Sequence, residues 1–515
     1  MLHIHLPLFP PQIDAFIDIN FEVTCIQGLY AVRHLAFDLA KICRDEQLKA
    51  QLTSPLLPIE KDRSHLFPLA KGWLGICRET HIQCQGVPIG LWASPSINMR
   101  LLNIVCAPTG EDVVRLCELS ELRKSIGSVE YSTLSHCWGS RRFLTLTKET
   151  SADLKKGISR SRLSRTFQDA IQVSAKIGVE YIWIDSLCIF QDSVLDVSAV
   201  IYGFIKSDEH ARNQGFCPES RDFILKELVQ SAINNTDRIH HQWQEQSTLM
   251  TEIYQRGVFN IAASAAGDGF LDYFSIPRPP TFTPPWGNQE KIELHVARRN
   301  SLYEHLSGAP LNQRGWVLQE RLLSPRILHF TRYQMYWECY QTLASEEYQH
   351  ELPSDLEDFR STQNMAGDWL RMDAESCNRQ YLHDRFYHVV QEYSGCALTK
   401  PQDKLIAISG IARILQQKLE DEYVAGFWLK SLPQALLWYI SDFGGSPQSP
   451  EFQYRAPSWS WASVDKTVRF DRVEKFERSH KSGLRCKLRD YSIDLATSDP
   501  FGQVSGGWIR LSGLL

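Results

Sequence analysis

The chain has no apolar run approaching the roughly 20 residues that a bilayer-spanning helix needs, so no membrane span is expected. Its opening, MLHIHLPLFPPQID, has no cationic start followed by a long apolar stretch, so no secretory leader is expected either. There is no excess of positive charge. Lys and Arg number 55 against 60 Asp and Glu, a net charge of −5, which excludes a basic nucleic-acid binder as the starting reading. Internal repeats and low-complexity tracts are missing, and with them any recognition-repeat array. The 13 cysteines are odd in number and lie singly from Cys25 to Cys486, with no short, dense framework. They read as reduced thiols of a cytoplasmic protein, and the sequon at Asn234 carries no expected glycan.

What is present is a globular composition, 43% hydrophobic and 22% charged, over 515 residues. That length exceeds one ordinary core and suggests two to four domains or one elaborated domain. The 14 tryptophans are expected mostly in the core or lining a groove.

Periodicity organises the middle of the chain. Leu69, Trp73, Cys77, His81 and Cys84 follow one helix face within 68–90. Residues 100–128 read as short strands and charged turns. Tyr131 to Trp138 alternates like a strand and stops at Gly139-Ser140. A helix period runs from Ser164 to Ile177, with Thr166 and Asp169 placed for an N-cap and Gly178 for the exit. Val179 to Asp185 is an apolar run of the kind buried in a parallel sheet. A second helix over His241–Arg256 leads into a strand over Val258–Ser264. Strand, helix, strand, helix, strand predicts an α/β fold with an open, mostly parallel sheet and flanking helices. Ile276 to Trp286 reads as a proline-rich loop. Beyond residue 322 the pattern becomes mixed α+β: a strand at Arg326–Phe330, helices near 362–373 and 380–393, and β-like stretches after 450. Trp459 and Trp461 alternate, and in a strand they would share a core face.

Seven segments carry a resemblance. YSTLSHCWG (131–139), YIWIDSLCIFQDS (181–193), WQEQSTLMTEIYQRGVFNIAAS (243–264) and RGWVLQERLLSPRILHFT (314–331) resemble, in order, the motifs of the fungal heterokaryon-incompatibility (HET) domain. WLGICRETHIQC (73–84) resembles a segment that often precedes it; DKLIAISGIA (403–412) and RAPSWSWAS (455–463) resemble segments that often follow. His136 stands where an aromatic residue is usual, and Phe190 where an acidic or aliphatic one is. The resemblance divides the chain into a 1–129 region with the Cys/His helix, the domain over 131–321, and a region over 322–515, read as ending abruptly. Residues 194–236 interrupt a normally near-continuous motif, either as a surface excursion or as translation of a retained intron. The valine that opens the stretch, whose codons begin GT, favours the intron.

The resemblance implies non-self recognition that triggers growth arrest or cell death. The implied partners are the chain itself or another incompatibility protein. It also implies a fold related to Toll/interleukin-1-receptor (TIR) domains, some of which self-assemble and cleave NAD. No cofactor is expected, and NAD enters only as a candidate substrate. Breaking a nicotinamide–ribose bond needs a carboxylate near the forming oxocarbenium ion. Asp185 and Glu245 are the candidates; Glu252 shares the helix, and Gln246 stands where many relatives carry an acid. The rival reading is a non-catalytic interaction module with a vestigial crevice.

In an open parallel sheet, ligands sit outside the C-terminal strand ends. That gathers Ser135, His136, Trp138, Gly139, Asp185, Ser186, Cys188 and Gln191 around one crevice, with Ala263 to Gly267 beside it. Gly139 and Ser140 would let backbone N–H groups approach an anion. The plainer reading has Asp185 and Ser186 capping the next element. Arg314, Trp316, Gln319 and Glu320 close the domain, Trp316 packing on the sheet and Glu320 pairing with an arginine. Cys137, Cys188 and His136 raise a thiol hydrolase, which nothing in the spacing orients. Cys77-x3-His81-x2-Cys84 has near-ligand spacing, and a distant cysteine such as Cys106 would complete a zinc tetrahedron. The same spacing fits a packing face with Trp73, and no metal is assigned.

Overall fold

The structure is a computed structural model that describes residues 2–6, 66–85, 99–106, 112–126, 128–140, 142–191, 249–267, 281–282, 294–298, 306, 308–332, 334–346, 348–350, 367–372, 378–441, 454–470 and 486–513. The 194–236 stretch, Glu245 and Gln246 lie outside the described residues, as does the start of the expected 241–256 helix, which is helical over 249–256.

Nine strands form one sheet. In chain order they are β1 (Arg100–Cys106), β2 (Asp112–Glu118), β3 (Ser132–Ser135), β4 (Ile158–Ser159), β5 (Tyr181–Trp183), β6 (Asn260–Ala262), β7 (Arg326–Phe330), β8 (Met335–Cys339) and β9 (Leu343–Ser345). Their spatial order is β9-β8-β7-β6-β3-β5-β1-β2-β4. The centre, β7-β6-β3-β5, is parallel throughout. Antiparallel strands flank it on both sides. The fold is therefore α/β as expected. Its parallel part is confined to the four central strands, because the hairpins on either side need only tight turns to pair.

The sequence explains the centre. All residues of β3, β5 and β6 are buried, as strands covered on both faces must be. The hydroxyls of Ser132 and Ser174 meet at 2.7 Å, so Ser132 faces helix α2 (Arg165–Ile177). Tyr131 donates to the Ile253 carbonyl at 2.7 Å, and a Cβ on Gly257 would stand 3.4 Å from Thr133 Cγ2. Side chains alternate along a strand, so α2 and the 249–256 helix cover opposite faces of β3. From β3 the chain goes through α2 to β5 on one side; β6 and β7 lie on the other. This change of direction makes the C-terminal end of β3 a topological switch point.

Four local expectations differ. The N-cap of α2 is Ser164, whose Oγ accepts the Phe167 N–H at 3.4 Å, rather than Thr166. Thr166 and Asp169 lie inside the helix, and Asp169 pairs with Arg165 at 3.1 Å. Gly178 does end it, at φ +102°. Helix α1 (Leu66–Thr80) stops before His81, whose extended backbone starts a 3-10 turn over Ile82–Cys84. Part of the expected proline-rich loop is a strand, Thr281–Phe282, in a small sheet with Leu2–Leu6 and Leu294–Arg298. Trp459 and Trp461 do not sit in a strand. Ser460 caps a 3-10 turn, Trp461–Ser463, and donates its hydroxyl to the Ala425 carbonyl. Trp461 is fully buried, donating to the Gly426 carbonyl at 2.8 Å, while Trp459 is half-buried.

The sheet crosses the limits of the resemblance on both sides, with β1 and β2 before residue 131 and β7 to β9 after 321. Helix α4 (Gly315–Leu323) binds the later region to the sheet: Gln319 Oε1 accepts the Gly410 N–H, 2.8 Å away, from helix α6 (Ile406–Leu419), which also packs on α5 (Arg379–Ser394). Between α2 and α4 lies the short helix α3 (Asp185–Cys188). Among the described residues no helix is long and apolar enough to cross a membrane.

Candidate functional site

The strand ends bring together most of the crevice residues named from the sequence. Asp185 opens α3 directly after β5, and its carboxylate is the accessible acid there, with 27% of the side chain exposed. The Trp138 indole donates to one oxygen at 3.1 Å and the Ser186 N–H to the other at 2.6 Å. His136 Nδ1 stands 3.7 Å away. The expected capping by Asp185 and Ser186 is not what starts α3. Its N-cap is Ile184, without a side-chain cap bond, and Asp185 is the first helical residue, its carboxylate turned to the Ser186 N–H and the Trp138 indole. Gln191 supports the same turn, its amide donating to the carbonyls of Ile189 at 2.9 Å and Asp185 at 3.3 Å.

The His136 ring packs as an aromatic residue would. It meets Phe167 edge-on at 4.9 Å and Phe143 at 6.1 Å, and lies near-parallel to Trp138 at 6.5 Å. Burial pushes its pKa below the usual histidine range, so the ring is neutral at pH 7. Arg314 reaches across from the start of α4 and donates to the His136 carbonyl. Gly139 follows in the left-handed region at φ +63°, exposed beside the cluster.

Beneath this surface lies a polar layer that sequence reasoning missed. Thr133 donates to Asn260 Oδ1 at 2.9 Å, and Asn260 donates to Ser135 Oγ at 2.9 Å, linking β3 to β6. Ser135 and Tyr254 stand against the carboxyl of Glu320 on α4. Burial pushes Glu320 up to about 7, with the Ser135 hydroxyl and the Arg314 charge opposing the rise and Asp185 reinforcing it. Among the described residues the expected pairing of Glu320 with an arginine is not found. The neighbouring Arg321 takes the buried carboxylate instead, its Nη2 lying 2.9 Å from Glu338, so Glu320 is left facing the strand ends. The available signal was polar residues in strands otherwise buried: Thr133, Ser135 and Asn260.

Three buried polar atoms at these strand ends have no hydrogen-bond partner among the described residues: His136 Nε2, Ser186 Oγ and Glu320 Oε2. They are three of 17 such atoms among the described residues, and each is within the reach of a single bridging water. A water-sized cavity of about 10 Å³ lies elsewhere, beside Arg321, Glu338 and Cys339.

Other candidates separate from the site. Trp316 packs half-buried against the core, and Gln319 is spent on Gly410. Burial pushes the Cys188 thiol up to about 12, which leaves it protonated and unreactive at neutral pH. Glu252 pairs with Arg256 at 3.6 Å along its helix. Ser264, His329 and Glu338 line up like a catalytic triad, at 3.5 Å and 2.8 Å, but all three are buried and Arg321 neutralises the glutamate. That array is a core ion network.

A family model described as heterokaryon incompatibility protein (HET) matches residues 131–201 and 230–320. Searches among curated proteins and among solved structures gave no match. The matched stretches contain β3, α2, β5, α3, β6 and the first six residues of α4, and with them every side chain of the strand-end cluster. The chain carries a domain of the heterokaryon incompatibility (HET) family across residues 131–320.

Proposed function

We propose that the chain is a fungal non-self recognition protein whose HET domain signals growth arrest or cell death, by self-association or with another incompatibility protein, through its strand-end cluster. The observation that carries this reading is the coincidence of the family match with the elements that build the cluster. The unpartnered atoms of His136, Ser186 and Glu320 support a ligand or partner group at the switch point. A TIR-like assembly is the expected form of signalling.

Inducible expression of the full chain in a filamentous fungus tests it. Growth arrest is expected on induction, and Asp185→Ala and Trp138→Ala should relieve it at equal protein level. Normal growth with abundant folded protein would sink the reading, and arrest undiminished in both variants would remove the cluster from it.

A second reading, cleavage of NAD at the nicotinamide–ribose bond, is favoured by one observation. The accessible Asp185 carboxylate stands beside a buried carboxyl, Glu320, that titrates near neutrality. Water would add to the ribose carbon and give up a proton to solvent as nicotinamide leaves with the electron pair of the broken bond, with Asp185 facing the developing positive charge. Nicotinamide release by purified protein, lost in Asp185→Ala and reduced in Glu320→Gln, is the expected result. Glu245→Ala tests the helix acid named from the sequence. No release by self-associated wild-type protein would leave the non-catalytic reading.

A further inference from the structure

Cys77, His81, Cys84 and Cys339 bring their ligand atoms within 4.8 Å of one another, and we propose that they form a structural zinc site that fastens α1 to the sheet. The sequence supplied three of the four. The fourth is Cys339 at the end of β8, 258 residues from His81, and not Cys106.

Local structure explains the convergence. Cys77 sits on the last turn of α1, and the extended backbone of His81 turns the chain out of the helix. The Cys84 N–H returns to the His81 carbonyl at 3.0 Å, which folds Cys84 back toward Cys77. Arg371 holds this turn through the carbonyls of Gln83 and Gln85, at 3.2 and 3.3 Å. From the sheet side, Cys339 begins the tight turn into β9 and places Sγ 3.3 Å from His81 Nδ1. Tetrahedral zinc with bonds of about 2.3 Å to sulfur sets neighbouring sulfurs about 3.8 Å apart, so the observed spread needs only small adjustment.

Packing alone would account for three buried thiols, since cysteine serves as a small apolar residue. It does not account for their surroundings. Arg326 is 1% exposed, and among the described residues no carboxylate pairs with it. Its Nε instead stands 3.2 Å from Cys77 Sγ, and its Nη2 reaches the Cys84 carbonyl at 3.4 Å. A buried guanidinium needs a compensating negative charge. Zinc with three thiolates and a neutral histidine carries a net −1, which matches it. The Thr342 N–H is likewise directed at Cys339 Sγ, at 3.3 Å. N–H groups aimed at sulfur are the supporting shell of a thiolate–metal centre. Four protein ligands leave no open position, so the site is structural and not catalytic.

The test uses the full chain, purified without chelator from cells grown with zinc. About one zinc per chain is expected, retained through gel filtration and released when an organomercurial blocks the thiols. The chain reconstituted with cobalt(II) should show thiolate-to-cobalt charge transfer and the intense visible bands of tetrahedral coordination. Cys84→Ser and Cys339→Ser should lose the zinc, while Cys117→Ser, outside the cluster, should keep it. Arg326→Gln removes no ligand and should weaken zinc binding by about 10–100-fold. Folded wild-type protein without zinc, a disulfide among the three cysteines, or an octahedral cobalt spectrum would each overturn the proposal. The zinc content and cobalt spectrum of the wild type decide the matter even where the cysteine variants fail to fold.

Discussion

At the scale of single residues, two buried groups tie the strand-end cluster to pH in opposite senses. Glu320 titrates at about 7 in the fold against an ordinary value near 4.5, so between those values the folded chain holds more proton than the unfolded one. Its contribution to stability therefore falls as pH rises from 4.5 to 7 and is level above. Glu320→Gln, which keeps the shape and removes the titration, should become relatively more stable over that window, by up to about 3 kcal/mol at pH 8. Urea melts of both proteins at pH 5 and pH 8 measure it; an equal gap at the two values would refute it. His136 works the other way. Its folded pKa is depressed below 6.5, so its stabilisation is complete above that value and is lost as pH falls. His136→Phe should keep the contacts with Phe143 and Phe167 and flatten the acid limb of the stability profile. His136→Ala should lose about 3 kcal/mol at neutral pH, because it opens a cavity in the aromatic cluster, and less as pH falls, because it too removes the titration. Parallel melts distinguish them: a Phe variant as damaged as the Ala variant would show that the imidazole does more than pack.

Elements were legible in the sequence where their signals are local. The helical period from Ser164 and the exit at Gly178 placed α2 almost to the residue, and only the cap moved, from Thr166 to Ser164. Ser164→Ala should cost about 1 kcal/mol, readable as a shift in the thermal midpoint, and no shift would show that the helix end is held by packing instead. What the sequence hid was set by distant partners. Trp459 and Trp461 alternate like strand residues, yet the turn around Ser460 is fixed by Ala425, 35 positions away. Glu320 looked like half of an ion pair because nothing local says that Arg321 is claimed by Glu338 from β8. Cys339 was invisible as a ligand for the same reason. The contact between α4 and α6 is another long-range fact, and it is tight. A Cβ on Gly410 would stand 2.3 Å from Thr251 Oγ1 and 2.8 Å from Gln319 Oε1. Gly410→Ala should therefore destabilise by about 1–3 kcal/mol, and Thr251→Ala should recover part of that loss in a double-mutant cycle. Additive effects in the cycle would show that the clash is relieved elsewhere.

At the scale of the molecule, the family match and the folding unit are different objects. Residues 131–320 contain β3, β5 and β6 from the parallel centre, but not their outer neighbours. In the whole chain β7 pairs with β6 through Ile327 to His329, and β1 pairs with β5 through Leu102 and Asn103. Cutting at 131 and 320 would leave both buried strands as open edges, and an apolar open edge pairs with other chains. The cut also removes Gly410, the partner of Gln319, and the cluster that joins Cys339 to α1. A fragment over 131–320 should therefore aggregate on expression. The chain from 66 to 513, which keeps all nine strands and α1, should be soluble and melt cooperatively. Sedimentation velocity and circular dichroism on the two fragments check this. A monomeric 131–320 fragment with a cooperative transition would show that the matched stretch folds without its neighbours. If the longer piece alone folds, the strand-end site and the Cys/His cluster belong to one cooperative body, because both hang on the sheet that β7 and β8 complete.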